Sequence, residues 1–349
     1  MKHTKIIFIL LFIAIIRQFV FCANLQVGSY EEVSIESTVA LSGDNNSLIG
    51  FAIFSGGFSL ANSAASVLWD CYYPVQSTIT LNSGTVTLTE DFLMASDALF
   101  SNGGTVEGGY KVVLPKINST FTLPGAFTFN NITLVCNSSI LLTGSVTFQG
   151  NCVIEGNTNV IDLGSGSITV DSDSTLYIKN AIIDGISANI SCQDSTSTLN
   201  LDDTVWIQSD DYSFDSGNLD IVNTNIFTGK KVFTFETTGT CLIHQNSRLA
   251  FDSGMTFSYN TTSRNALVFE NRLSVLELYE TAIYSVSPAF QLKKGTVVVN
   301  GTCPVFNNAA VSSNGILIGS GTFADNVTLK ILSESGFDVR SGYLVYNNA

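Results

Sequence analysis

Two pairs of adjacent aspartates and one histidine are the residues of this chain whose types could support cleavage of a polysaccharide. The pairs are Asp202-Asp203 and Asp210-Asp211, and the histidine is His244. A glycoside hydrolase needs two carboxylates about 5 to 10 Å apart, whereas adjacent residues of a strand point to opposite faces. We therefore interpret the aspartates as solvated turn residues. His244 is interpreted as structural, because the sequence positions no carboxylate beside it.

Residues that could bind calcium or a sugar ring also lack a specific motif. Four aspartates lie among Gly and Ser residues: Asp162, Asp171, Asp173 and Asp184. They lack the Gly-Gly-x-Gly-x-Asp repeat of a calcium-binding β-roll, so a structural calcium site is a minor alternative. Trp206 has the ring needed to stack on a sugar, and we interpret it as a core residue. The sequence therefore predicts no catalytic, cofactor-binding or metal-ligating residue.

A short sequence motif typical of a β-strand, here called the strand phrase, recurs every 20 to 30 residues and must position these side chains. Examples are Ser145-Val-Thr-Phe148, Ser167-Ile-Thr-Val170, Ser197-Thr-Leu-Asn-Leu201 and Asn218-Leu-Asp-Ile221. We mark each repeat by one apolar residue, and these residues are Val146, Ile168, Leu199, Leu219 and Cys241. The longest interval between two of them is assigned to an inserted loop at 184–189. A fixed period in this range is typical of solenoids.

The repeat predicts an all-β protein whose residues 77–349 form a single right-handed parallel β-helix with a short amino-terminal cap. One turn cannot bury its apolar face alone, but turns stacked about 4.8 Å apart share a continuous core. Gly and Asn suit the corners because they tolerate left-handed backbone angles. We assign residues 23–76 to the cap, with a helix from Ser59 to Trp69 in which Leu60, Ala64 and Leu68 share one face.

The amino terminus has the composition of a secretory signal peptide, assigned to residues 1–22. Lys2 and Lys5 precede an apolar segment, Ile6 to Ile16, that is too short to span a bilayer. Removing Lys2, Lys5 and Arg17 with this segment changes the formal net charge from −14 to −17. A surface this acidic repels phosphate backbones and anionic lipids. We expect a secreted or cell-surface protein without a membrane span and without a nucleic-acid partner.

Six cysteines follow the predicted cleavage site, at irregular spacings that include no Cys-x-x-Cys. They are Cys71, Cys136, Cys152, Cys192, Cys241 and Cys303. Export permits disulfides, and six cysteines allow fifteen pairings. Because several lie inside strand phrases, we interpret them as buried thiols of the solenoid core, with disulfides as the alternative.

The stretch from Trp69 to Leu81, followed by Gly84-Thr-Val-Thr-Leu88 and Gly104-Thr-Val-Glu-Gly108, resembles secreted bacterial parallel β-helix proteins of the adhesin or autotransporter-passenger type. The resemblance covers the run from Leu68 to Val345 and implies export and architecture. Pectin-degrading β-helix enzymes use Gly-His-Gly and Arg-x-Lys motifs, and this chain contains neither.

These observations favour a non-enzymatic secreted or surface protein that serves adhesion or structural display, with glycans or proteins of a host or cell surface as partners. The alternative is a polysaccharide-active enzyme of the pectin-lyase-like type with a carboxylate cluster near Asp202 to Asp211. We also expect end-to-end self-association through the last strand phrase, Tyr343-Leu-Val-Tyr346, because an open edge presents unpaired backbone groups.

Overall fold

A computed structural model describes the chain from Gly103 to Asn347, except for residues 286–289 and 323–325. Before Gly103 it places the strands, together with the side chains of Thr85, Leu88, Asp91 and Phe92. The chain divides into two compact units, residues 1–138 and residues 139–349. Both consist of parallel strands that pair with the strands one turn before and after, as in a β-solenoid. The 3₁₀ turn Ser312–Asn314 is the one helical element among the described residues.

The amino-terminal unit is a stack of short strands. In chain order they are Val20–Cys22, Gln26–Val27, Glu32–Ile35, Val39–Ser42, Asn46–Leu48, Phe51–Phe54, Phe58–Ala61, Ala65–Leu68, Cys71–Tyr72, Thr78–Thr80, Thr85–Leu88, Phe92–Leu93, Leu99–Ser101, Gly104–Glu107, Lys111–Leu114, Phe121–Leu123, Phe127–Asn130 and Thr133–Cys136. Residues 1–19, which contain most of the predicted signal peptide, lie outside the described residues. Cleavage after Cys22 stays a prediction.

The helix predicted over Ser59 to Trp69 is wrong, because this segment contains two strands, Phe58–Ala61 and Ala65–Leu68. Each pairs in parallel with strands of the turns before and after it. The spacing of four residues between Leu60, Ala64 and Leu68 misled the prediction. Leu60 and Leu68 lie in different strands, so the spacing of four does not arise from one continuous element.

The carboxy-terminal unit contains about nine turns, each with three strands, among its described residues. We call the three sides faces A, B and C, in the order in which the chain visits them, and number the turns from 1 to 9. Strands Thr175–Ile186 and Thr198–Gln208 are long because each runs from face C around a corner onto face A of the next turn.

The strands of the three faces are as follows. Face A comprises Ile140–Leu142, Val160–Asp162, the second halves of Thr175–Ile186 and Thr198–Gln208, Thr224–Thr228, Arg248–Phe251, Val275–Tyr279, Thr296–Asn300 and Thr328–Ile331. Face B comprises Ser145–Gln149, Ser167–Val170, Ile190–Cys192, Tyr212–Phe214, Val232–Phe235, Thr256–Tyr259, Ala282–Ser285, Thr302–Asn307 and Gly336–Ser341. Face C comprises Asn151–Glu155, the first halves of Thr175–Ile186 and Thr198–Gln208, Asn218–Val222, Cys241–Ile243, Leu267–Phe269, Gln291–Leu292, Ile316–Ile318 and Leu344–Tyr346.

Alternate residues of each strand point into the core, as the period-2 pattern requires. In Ser145–Gln149, for example, Val146 and Phe148 are buried while the residues between and beside them remain partly exposed. Aromatic rings fill the middle turns: Trp206 is 1% exposed and stacks on Phe227 with 5.3 Å between ring centroids. Trp206 is therefore a core residue, as interpreted from the sequence.

In three successive turns, asparagine or aspartate occupies the corner between faces C and A, where the backbone is left-handed. Asn180, Asp203 and Asn223 follow in-register positions of three successive turns and have φ values of 48°, 52° and 54°. These residue types reach this region more easily than others because their short polar side chains bond locally. The prediction that Asn suits the corners is confirmed at these positions. Lys230, Glu280 and Lys294 adopt the same backbone region at other corners, so Asn is favoured there and not required.

The repeat predicted from key residues is right in part. Val146 pairs with Ile168 on face B, and Leu199, Leu219 and Cys241 pair in succession on face C. The long step from Ile168 to Leu199 is wrong, because Ile168 pairs with Ile190 and Leu199 pairs with Leu176. The predicted interval joined a residue of face B to a residue of face C, so its length does not reflect an inserted loop.

Candidate functional site

The Asp202-Asp203 pair lies at the corner between faces C and A and bonds to the following turn. The Asp202 carboxylate accepts a hydrogen bond from Asn223 Nδ2 at 2.6 Å. The Asp203 carboxylate accepts one from the Thr224 backbone amide at 3.0 Å. Both carboxylates therefore serve contacts between turns.

The Asp210-Asp211 pair lies at the next corner, between faces A and B. Asp211 accepts a hydrogen bond from the Val232 backbone amide at 2.9 Å, and Asp210 lies 3.8 Å from Lys231 Nζ. The face A strand that ends at Gln208 separates the two pairs. At about 3.3 Å per residue, five residues of strand hold the pairs about 16 Å apart. A hydrolase needs its carboxylates about 5 to 10 Å apart, so the two pairs do not make one catalytic cluster.

His244 has carboxylates on both sides, which the sequence did not indicate. Its Nε2 lies 3.4 Å from Asp220 of the preceding turn, and its Nδ1 lies 3.4 Å from Glu270 of the following turn. Because the three residues are more than twenty positions apart in sequence, only the turn period could have revealed the contact. Both ring nitrogens face protein carboxylates, so the arrangement links three turns.

The aspartates considered for calcium bond to nearby backbone or polar groups. Asp162 and Asp184 are aligned across turns, and each accepts a hydrogen bond from a nearby glycine amide, Gly164 and Gly185 respectively. Within the described part of the chain, no three His, Cys, Asp or Glu residues are grouped closely enough to hold a metal ion.

The five cysteines with described side chains are buried free thiols; they are Cys136, Cys152, Cys192, Cys241 and Cys303. Four align with aliphatic residues in neighbouring strands of their own unit, so sulfur does not stack on sulfur. Burial raises the pKa of Cys136 to about 12, and burial with nearby Asp215 and Asp194 raises that of Cys192 to about 12. The interpretation as buried thiols is confirmed for these five. The side chain of Cys71 lies outside the described residues.

The outer side of face B carries a regular row of side chains that sequence reasoning missed. In turns 4 to 8 the aligned outward residues are Ser213, Thr234, Ser258, Tyr284 and Phe306. We call these five residues the face B row. In turns 1 to 3 the outward residues Thr147, Thr169 and Ser191 are aligned in the same way. In turns 1 to 6 the signal was present in the sequence as a Ser or Thr between two apolar residues, once per turn; Tyr284 and Phe306 depart from this pattern.

Two aromatic rings end the row. Tyr284 and Phe306 stack with 4.6 Å between ring centroids and 12° between ring planes. Tyr284 is 41% exposed, and Phe306 is partly exposed. Beside the row, the Glu236 carboxylate accepts hydrogen bonds from Ser213 at 2.5 Å and from Asn260 at 3.0 Å. Hydroxyl, carboxylate, amide and aromatic groups thus lie along the outer side of face B.

Comparison with protein-family models, with curated proteins and with solved structures finds no match to this chain. Among the residues that the structure describes, no helix has the length and apolar character needed to cross a membrane.

Proposed function

We propose that the chain is a non-enzymatic, secreted or cell-surface solenoid that displays a binding face for adhesion. The observation that carries this proposal is the face B row, which presents one polar or aromatic side chain per turn on the outer side of the sheet. A second support is the engagement of Asp202, Asp203 and Asp211 in bonds between turns. Secretion, the signal peptide and the adhesin-like role are parts of this proposal.

The test separates adhesion from catalysis. Labelled protein should be retained on surfaces coated with cell-wall or host glycans, and incubation with polygalacturonate, alginate and host glycans should release no product. Asp203→Asn removes the carboxylate charge and keeps a residue type that occupies the same corner in other turns. Turnover that disappears in Asp203→Asn, with the fold retained, would establish the polysaccharide-active alternative and reject ours.

We also propose that turn 9 associates with a second copy of the chain. Its strands expose large apolar side chains, including Ile331 at 49%, Val339 at 44% and Tyr346 at 50%. Exposed apolar side chains on a strand favour edge-to-edge pairing with another chain.

A further inference from the structure

We propose that the face B row binds a neutral, linear polysaccharide lying along the solenoid axis, with Tyr284 as its stacking platform. This inference rests on the proposed adhesive function and names the class of ligand. It starts from the alternation along face B, where Phe257 and Tyr259 point inward and Ser258 between them points outward. The same alternation places the other members of the row on the outer surface.

The shape of the row selects an elongated ligand. Turns of parallel strands are about 4.8 Å apart, so the four intervals from Ser213 to Phe306 extend for about 19 Å. Each turn offers one side chain at the same register, so the surface repeats along a single direction. A linear polymer with a short repeat makes equivalent contacts at successive turns, and a compact ligand reaches only one or two of them.

The polar groups of the row match sugar hydroxyls. Ser and Thr hydroxyls both donate and accept hydrogen bonds, as the hydroxyls of a sugar do. Glu236 is held in place by Ser213 and Asn260, so its remaining acceptor capacity is preorganised. One face of the Tyr284 ring packs on Phe306. The opposite face supplies the surface on which the C–H face of a pyranose stacks, and binding sites commonly combine such rings with a few polar groups.

Charge decides between neutral and acidic polymers. The chain carries a formal charge of −14, and Glu236 adds a carboxylate beside the row. Uronate or sulfate groups would be repelled by this surface. A neutral glycan carries no such penalty.

A matched pair of tyrosines tests the proposal. Tyr279 and Tyr284 lie in turn 7, and each is 41% exposed, but only Tyr284 belongs to the row. Binding of cello-, chito- and manno-hexasaccharides, with hexagalacturonate for comparison, should be measured by titration calorimetry on the full chain. We expect at least one neutral hexasaccharide to bind. Tyr284→Ala should weaken that binding about tenfold, which corresponds to about 1.4 kcal/mol; Tyr284→Trp and Tyr279→Ala should leave it within about twofold.

The outcomes separate this inference from the adhesive function. Tight binding of hexagalacturonate, equal losses from the two tyrosine variants, or no binding of any neutral hexasaccharide overturns the inference. If that result comes with retention on cell surfaces, the adhesive function stands without the glycan. If a neutral hexasaccharide binds through Tyr284 and is then cleaved, the ligand class stands and the non-enzymatic function fails. Circular dichroism of each variant shows that the fold is retained.

Discussion

The side chain of Asn225 is bonded to both the backbone amide and the hydroxyl of Thr204 in the preceding turn. Asn225 Oδ1 accepts these two hydrogen bonds at 3.0 and 2.7 Å. Its Nδ2 donates to the carbonyls of Leu201 at 3.1 Å and Val222 at 2.7 Å. Asn225 is fully buried, so all four hydrogen bonds that its amide can form are made away from water. One side chain thus joins two successive passes of the chain through the corner between faces C and A.

Replacing Asn225 by Leu should destabilise the fold by about 3 kcal/mol, because the buried Thr204 amide and hydroxyl lose their acceptor and two carbonyls lose a donor. The measurement is equilibrium unfolding in urea. The control is Asn265→Ala, at an exposed position, which should change stability by less than about 0.5 kcal/mol. Equal losses in the two variants would contradict the role of Asn225.

Replacing Asp203 by Asn should change the stability little, and replacing it by Ala should lower the stability. Its φ of 52° is costly for most residues, and its carboxylate accepts the Thr224 amide. We expect Asp203→Ala to lose about 1.5 kcal/mol and Asp203→Asn less than about 0.5 kcal/mol in the same urea experiment.

Asp203→Gly separates the two contributions. Glycine removes the backbone strain and the hydrogen bond together, so its stability should lie between those of the Asn and Ala variants. A stability loss in Asp203→Asn as large as that in Asp203→Ala would show that the carboxylate charge matters more than the corner geometry.

The buried thiols should not react in the native state. Because burial raises the pKa values of Cys136 and Cys192 to about 12, little thiolate exists at pH 8, and access is blocked as well. Iodoacetamide followed by peptide mapping should find all five buried cysteines unmodified in buffer and fully modified in urea. Rapid native alkylation of any of them would contradict the burial, and a disulfide-linked peptide containing one would contradict the free thiol.

Asp194 should stabilise the fold only while it is ionised. Hydrogen bonds from Ser172 and Thr196 lower its pKa from 3.8 to about 2. A carboxyl group with a lowered folded-state pKa stabilises the fold above its unfolded pKa, and this stabilisation is lost as the pH falls through the folded value. The melting temperature of Asp194→Ala should therefore lie below that of the unmodified chain at pH 7, and the difference should shrink between about pH 4 and pH 2.

The neighbouring variant Ser195→Ala provides the control for this titration. Ser195 is exposed and carries no ionisable group, so its difference in melting temperature should not vary over the same pH range. If the Asp194→Ala difference were as large at pH 2 as at pH 7, the side chain would act through packing instead of charge.

Self-association through turn 9 should respond to charge at its last strand. The double variant Leu344→Lys and Val345→Lys should shift the chain toward monomer in light scattering, because charged residues disfavour edge pairing. Leu273→Lys is the control for added charge at an exposed leucine elsewhere, since Leu273 is 55% exposed and lies between turns 6 and 7; circular dichroism of each variant checks that the fold is retained. A monomeric unmodified chain at high concentration, or an equal effect of Leu273→Lys, would reject the proposal.

The repeat and the residue types of the corners could be predicted from sequence, because alternation and left-handed backbone leave local signatures. The assignment of each phrase to a face could not. Ser167-Ile-Thr-Val170 and Ser197-Thr-Leu-Asn-Leu201 look alike in sequence, yet they lie on faces B and C. Only pairing between turns distinguishes them, and pairing is a property of residues 20 to 30 positions apart.

The side-chain contacts of the candidate site could not be predicted from the sequence for the same reason. Tyr284 and Phe306 are separated by 21 other residues, and nothing near either ring in sequence indicates that they stack. Likewise, His244 obtains its carboxylates from the turns before and after it. A search for residues close in sequence finds Asp202-Asp203, whose members act at a corner, and overlooks contacts formed between turns.

The direction of the hydrogen bonds between strands has a mechanical consequence for the carboxy-terminal unit. These bonds run along the axis from one turn to the next, so a pulling force along the axis loads each interface between turns in series. The interface with the fewest side-chain hydrogen bonds should open first, and the turn beyond it should then unfold into extended chain. Corners with many such bonds, as at Asn225, should resist opening, so the unit should lengthen under tension in steps of one turn.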